Sequence, residues 1–493
     1  MTHPPNGSQA PPGAGTPTMP AMPPQPGPPA VVPSVTPASQ ARPTAPDVAP
    51  PRRTAWAEGV DQLRAAATTE PGRLRIIGAV LALLVVAFGA VTAWQMTERS
   101  AAADDVLYSS EPLSASAAEI YRSLADANTA ASSGFLAGGQ ETAASRTRYE
   151  RDIKTAGEKL VSAASNSEPG SESEKTITRL NKLLPEYKGL IERARANNRQ
   201  GYPLGGAYLR YANDKMQVML DDAEALYKLE NQRLRADYDD ATPYPWIAIG
   251  VGVVAIGGLV WAQRRNYRRT NRVLNHGMVA ATAATTVVLL WLVVGHTVAR
   301  SGLNESYDHG VLSLNTLNDA RIASLKARGN ENLTLVSRGA ETVEVGTGDD
   351  KKSVDAYDHD FQGQMKDLAA KLAAAEDLAD DSAGESPVKA ATGNMKVWQE
   401  RHKEARAEDL EGNYQGALDK VIGSKDKKPT GECFDNVVDK LGTALTHEEK
   451  EFKLAAGDGR DAMSGLPVGA AVLAVLAAAG AVLGIGRRLS EYR

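Results

Sequence analysis

The sequence predicts an all-α membrane protein with four transmembrane helices and two tandem extracytoplasmic four-helix bundles. Three observations carry that expectation. Four apolar runs, residues 74–95, 246–262, 278–298 and 466–485, come close to the ~20 apolar residues needed to cross a hydrocarbon core about 30 Å thick. The linker at 263–277 holds Arg264, Arg265, Arg268, Arg269 and Arg272 and no Asp or Glu; basic residues in short loops resist translocation, so this loop belongs in the cytoplasm. The long segments at 96–245 and 299–465 repeat apolar residues at spacings of three and four, the period of a helix with one buried face. An aromatic content of 5 % beside abundant Ala and Leu favours long helices over sheets.

In chain order, residues 1–73 read as a disordered cytoplasmic tail. Residues 1–53 hold 17 of the 27 prolines and few large apolar side chains, so they bury too little surface to offset the entropy of ordering. The tail acts as a spacer or as a Pro-rich docking arm for a cytoplasmic partner. Trp56, Val60 and Leu63 recur at helical spacing beside Arg64, which suits a short helix on the inner membrane surface. The first span, 74–95, starts far from the N-terminus behind Arg73 and Arg75 and reads as a retained signal anchor. The fourth, 466–485, leads into a C-terminus at 486–493 whose Arg487 and Arg488 stay inside.

The first outer segment, 96–245, divides into four helices. Gly138 and Gly139, then Pro169 and Gly170, then Gly201 and Pro203 mark its turns. Because the first helix leaves the membrane and the fourth returns, the first and third turns are distal and the second lies near lipid. The second outer segment, 299–465, repeats the first. An offset of 211 carries Ile177, Leu180, Leu184, Tyr187, Ile191 and Ala194 onto Val388, Ala391, Met395, Trp398, His402 and Ala405, and an offset of 208 carries Tyr149, Asp152 and Leu160 onto Tyr357, Asp360 and Leu368. Arg99 and Ser100, beyond the first span, fall on Arg300 and Ser301, beyond the third. The chain is therefore a tandem duplication of span, bundle and span. Glycines 250, 252, 257 and 258 in the second span and the small residues of the fourth suit close helix packing.

Chemistry is sparse. Residues 97–245 carry 23 acids against 19 bases and residues 300–465 carry 32 against 22, so the outer segments are acidic and lack the broad basic face of a nucleic-acid binder. Cys433 is the single cysteine; it rules out an internal disulfide and reads as an unused thiol, with an intermolecular disulfide across a dimer as the alternative. Asp358, His359 and Asp360, and likewise His447, Glu448 and Glu449, lack the two-histidine spacing of a zinc protease and read as solvated helix faces. No metal, cofactor or catalytic residue is expected, and the chain is not read as an enzyme. His402 stands where the first half has Ile191: either a satisfied histidine at the bundle edge, which is preferred, or a sensor of pH or ligand. Transport is disfavoured, because beyond Arg75 at the inner end of the first span, His296 near an outer end is the lone ionisable side chain within the spans.

Paired helical bundles joined to spans resemble the four-helix sensor domains of bacterial chemoreceptors and histidine kinases, and residues 128–152, with Gly138, Gly139, Arg148 and Tyr149, look like their first turn. Here no output domain accompanies them, so a signal must pass to a separate protein. With the duplication and the Ala- and Arg-rich composition, the layout of residues 74–493 resembles the GlnX-type four-span membrane proteins of actinobacteria. That resemblance implies a receptor in the cell membrane. It would relay amino-acid availability from an extracytoplasmic solute-binding lipoprotein to a cytoplasmic Ser/Thr kinase, protein kinase G. It supplies no binding residue. The alternative is a structural or scaffolding protein of the envelope, and a homo-oligomer is compatible with either. The expected docking points are the distal tips, Gly201 and Tyr202 in the first bundle and Gly412 and Tyr414 in the second, where an exposed aromatic offers contact area with a polar end.

Overall fold

The computed structural model describes residues 68–138, 141–270, 275–346, 351–423 and 428–489. The readings of the Pro-rich tail, of Trp56, Val60 and Leu63, of Gly139 and of Arg272 fall outside them. Helix α1 (Glu70–Asp105) begins at Thr69, whose side chain accepts from the Gly72 amide, with proline in the first turn. It runs through a π-turn (Val106–Ser110) straight into α2 (Glu111–Leu136). Then come α3 (Ala143–Asn166), α4 (Glu172–Arg199) and α5 (Leu204–Ala241), with Thr142 capping α3 and Ser171 capping α4 through their hydroxyls. A break at 242–245 leads to α6 (Trp246–Thr270).

The second half repeats this. Helix α7 (His276–Glu305) passes through a π-turn (Ser306–Val311) into α8 (Leu312–Ser337). Next are strands β1 (Thr342–Val345) and β2 (Lys352–Asp355), then α9 (Ala356–Leu378), α10 (Ser382–Leu410), α11 (Tyr414–Ile422), α12 (Thr430–Met463) and α13 (Leu466–Leu489). The two π-turns sit at the same place in each half. That is independent support for the duplication.

Among the described residues, four helices are long and apolar enough to cross a membrane, within residues 70–136, 204–269, 276–337 and 430–487. Helices α1, α13, α7 and α6 pack in that cyclic order, with α6 closing back on α1. Glycine makes some of these contacts: a Cβ on Gly252 would lie 2.7 Å from the Phe88 ring, and one on Gly89 would overlap Ala474. Gly250 and Gly257, also expected to pack, face open space. The remaining helices form a head. Arg99 donates to the carbonyls of Gln95 and Pro243, at 2.9 and 2.8 Å, and Arg300 lies over the Tyr244 ring. The duplicated arginine pair thus braces the break at 242–245.

The two tandem bundles pack on each other: α2 packs along α8, and one hydrophobic core runs through both halves. The second outer segment departs from the expected four helices. The distal turn of the second half is built up by the β1–β2 hairpin, paired antiparallel from Thr342↔Asp355 to Val345↔Lys352, and by α11. Most of the basic linker is helical, since α6 carries Arg264, Arg265, Arg268 and Arg269 on its last turns. Extending the helix satisfies backbone groups that a free linker would leave to water.

Candidate functional site at the seam between the two halves

Helices α2 and α8 are buried on nearly every side, so their polar residues must find partners in the protein. Several do so across the seam. Thr129 Oγ1 donates to the Leu325 carbonyl at 2.8 Å, Asn332 Nδ2 donates to Ser132 and Ser133 at 3.1 and 2.8 Å, and Tyr227 donates to Asn315 at 2.6 Å. Arg148 reaches from α3 to Asp126 on α2 and to Asp435 on α12, at 2.8 and 3.0 Å. Asp152 lies beside Asp126; burial and that neighbouring negative charge push its carboxyl up to about 7. Arg321 on α8 is pushed down to about 10 by burial and by Arg122, and its Nε has no hydrogen-bond partner.

The second half encloses a further cluster. Glu331, 1 % exposed, takes Arg328 three residues earlier on α8, Trp398 Nε1 at 3.2 Å, Thr430 Oγ1 at 3.0 Å and His402 Nδ1 at 3.0 Å. The other nitrogen of His402 meets Asp358 Oδ1 at 2.9 Å, and its ring stacks on Phe361 with centroids 3.7 Å apart. His402 is therefore satisfied, as expected, but it is 2 % exposed and not at an edge. With the 201-residue offset between α2 and α8, Arg328 and Glu331 replace Ala127 and Ala130. One half of the duplication holds charge where the other holds methyl groups.

The cluster carries a pH signature. Burial lowers the His402 pKa, but the carboxylates of Asp358 and Glu331 outweigh it and hold the imidazole above its ordinary value, while Glu331 and Asp358 are held below theirs. A raised histidine pKa gives stability that is complete below the unfolded value of about 6.5 and is lost as pH rises through the folded value. The difference in melting temperature between the parent and His402→Gln should shrink as pH rises through that window. A difference that does not vary with pH would show that folding leaves the His402 pKa unshifted.

Cavities flank the seam. One of about 250 Å³ is lined by Glu111, Ser114, Glu119, Asn315, Asn318 and Arg321. Another, of about 400 Å³, is lined by Asn128, Asn213, Asp214, Gln217, Lys326 and Asp360. Their walls offer amides and both signs of charge, suited to a small polar solute.

The expected docking residues lie elsewhere. Gly201 and Gly412 adopt φ of +72° and +82° where α4 and α10 end, the left-handed conformation of helix-terminating glycine. Tyr202 is exposed; Tyr414 is half-buried, with the Arg338 guanidinium 4.0 Å above its ring. An Arg210–Glu341 pair at 3.3 Å joins the two tips. Cys433 is buried, which removes it from intermolecular pairing, and burial pushes its thiol up. Of the basic group, Arg269 pairs with Glu70 and Arg265 lies over Trp261.

No curated protein and no solved structure matches the chain. Residues 102–239, which run from the end of α1 to α5, match the family described as an actinobacterial sensor domain, and this supports an actinobacterial sensor protein.

Proposed function

We propose that the chain is a non-catalytic transmembrane receptor. It would read an extracytoplasmic signal, such as amino-acid availability presented by a solute-binding lipoprotein, and pass it to a cytoplasmic partner of the Ser/Thr-kinase class, as the resemblance to GlnX-type proteins implies. One observation supports the relay above others. The two helices that form the seam, α2 and α8, continue without a break into the first and third candidate spans. A shift at the seam is therefore a shift of span helices, with no flexible joint to absorb it. The arginines of α6 favour a cytoplasmic α6–α7 connection, and the head would then lie outside.

A two-armed experiment in cells tests this. In a Cys433→Ser background, cysteines replacing Ser167 or Ser382 should react with an impermeant thiol reagent, while one replacing Asn266 should not; labelling at Asn266 would invert the orientation. In the second arm, Asn332→Leu, which cuts the bonds to Ser132 and Ser133, should blunt kinase-substrate phosphorylation on amino-acid addition at unchanged membrane levels of the protein. A normal response from Asn332→Leu would remove the seam as the route. If deleting the gene leaves the response intact but weakens the envelope, the scaffold reading replaces the receptor.

A further inference from the structure

Away from the seam, the turn between α9 and α10 meets α12 at three metal-ligating side chains. Asp381, His447 and Glu451 each bring one ligand atom within 4.8 Å of the others. His447 Nε2 lies 3.1 Å from Asp381 Oδ1 and 3.3 Å from Glu451 Oε1. Two metal–ligand bonds of about 2.0–2.1 Å meeting at a tetrahedral angle place their ligand atoms roughly 3.3 Å apart. The two spacings from His447 thus match edges of such a tetrahedron, the Asp381–Glu451 spacing lies within 4.8 Å, and a fourth corner is left for water. We propose that Asp381, His447 and Glu451 form a binding site for a divalent transition-metal ion of the zinc type.

The local structure builds the site from two elements. His447 and Glu451 are four residues apart and share one face of α12. Asp381 comes from the α10 N-cap, where the Ala383 and Gly384 amides donate to Oδ1, both at 2.8 Å, and fix the carboxylate plane. Such outer partners are what orient metal ligands. Asp380 and Glu448 add negative charge close by, and Glu448 is buried against α8 through Ser313. One imidazole with two carboxylates favours zinc-like ions over calcium or magnesium, which prefer oxygen alone. The 211-residue offset puts Gly170 opposite Asp381, so the first half lacks a counterpart.

Sequence spacing alone hides this set, because Asp381 lies 66 residues from His447 and the adjacent acids of α12 point elsewhere. An ion here would clamp the α9–α10 turn to α12. Glu451 stands 12 residues before the end of α12 at Met463, roughly 18 Å at 1.5 Å per residue, so the clamp would act on the helix that leads into the fourth candidate span.

Full-length protein in detergent, with any affinity tag removed and metal stripped by chelation, is titrated with Zn²⁺ against a chromophoric chelator. One Zn²⁺ per chain is expected, with affinity at least about tenfold lower in His447→Ala and in the isosteric Glu451→Gln. Circular dichroism should be the same for all three, since these side chains are not in the core. Co²⁺ gives a second readout: the visible absorption of a four-coordinate ion should appear in the parent and vanish in His447→Ala. Binding as tight in both variants as in the parent would overturn the site. So would a parent that binds no Zn²⁺, which would leave His447 as an imidazole bridging two carboxylates.

Discussion

Replacing Glu331 by alanine should destabilise the head by about 3–5 kcal/mol, the cost of removing one partner from a buried ion pair. The carboxylate is the common acceptor for Arg328, Trp398, Thr430 and His402. Alanine would leave the buried Arg328 guanidinium without its countercharge, held only by the Val421 carbonyl and the Thr430 hydroxyl, and the Trp398 N–H without an acceptor, in a place water enters only by disrupting the packing of Phe361 and Phe434 around Trp398. Glu341→Ala is the control. It removes a pair between the exposed Glu341 and the half-buried Arg210 and should cost no more than about 1 kcal/mol. Denaturant unfolding of purified protein in detergent, followed by far-UV circular dichroism, compares the two. Equal and small losses would mean that the cluster is wet and contributes nothing to specifying the fold.

Gly302→Leu is expected to have an effect of similar size from a different cause. At the head end of α7, a Cβ on Gly302 would lie 3.0 Å from Gly459 Cα and from the Ala455 carbonyl, and one on Gly459 would lie 2.9 Å from the Ala299 carbonyl. The obstacles are backbone, which cannot rotate aside. Leucine would force α7 away from α12, with an overpacking cost of about 3 kcal/mol or more. Gly250→Leu, on a face with no atom within 4 Å of the new Cβ, should be nearly neutral. A thermal melt of the two variants in the same detergent separates the cases, and matching melts would rule out the glycine contact as a determinant of helix spacing.

These two sites also show where the sequence is informative. The helices of the first half were legible because α3, α4 and α5 each bury one stripe, at Tyr149, Ile153, Ala156 and Leu160 for instance, and expose the rest. Periodicity reports such a helix well. Helix α8 buries Leu317, Ala320, Ile322, Leu325 and Leu333 around most of its circumference, and a helix buried on all sides has no polar face to set the period. The packing of one half on the other was therefore hidden. Glu331, Asp358, His402 and Thr430 come from four elements, so no local spacing could gather them. The offset between the halves did mark His402 as the odd member of an apolar set; what it could not supply was the pair of carboxylates that bury it. The tip tyrosines were found by their flanking glycines, yet those glycines are explained by helix termination, and Tyr414 by packing under Arg338.

The paired π-turns have a mechanical consequence. A π-turn holds one more residue than a turn of α-helix, and each extra residue rotates the helix beyond it by about 100°. The insertion occurs once in each half, at Val106–Ser110 and at Ser306–Val311. The first and third candidate spans are thus keyed to their head helices with the same angular offset, and the two long rods keep a common phase although neither has a single straight stripe from end to end. Helix α5 packs against the first rod at its π-turn, and its Tyr238 reaches the second, with its hydroxyl 2.6 Å from Ser306 Oγ and its ring against Tyr307. Torsion applied to one rod at the head would therefore meet the other at this collar before it reached the bilayer, so the pair would turn as a coupled shaft.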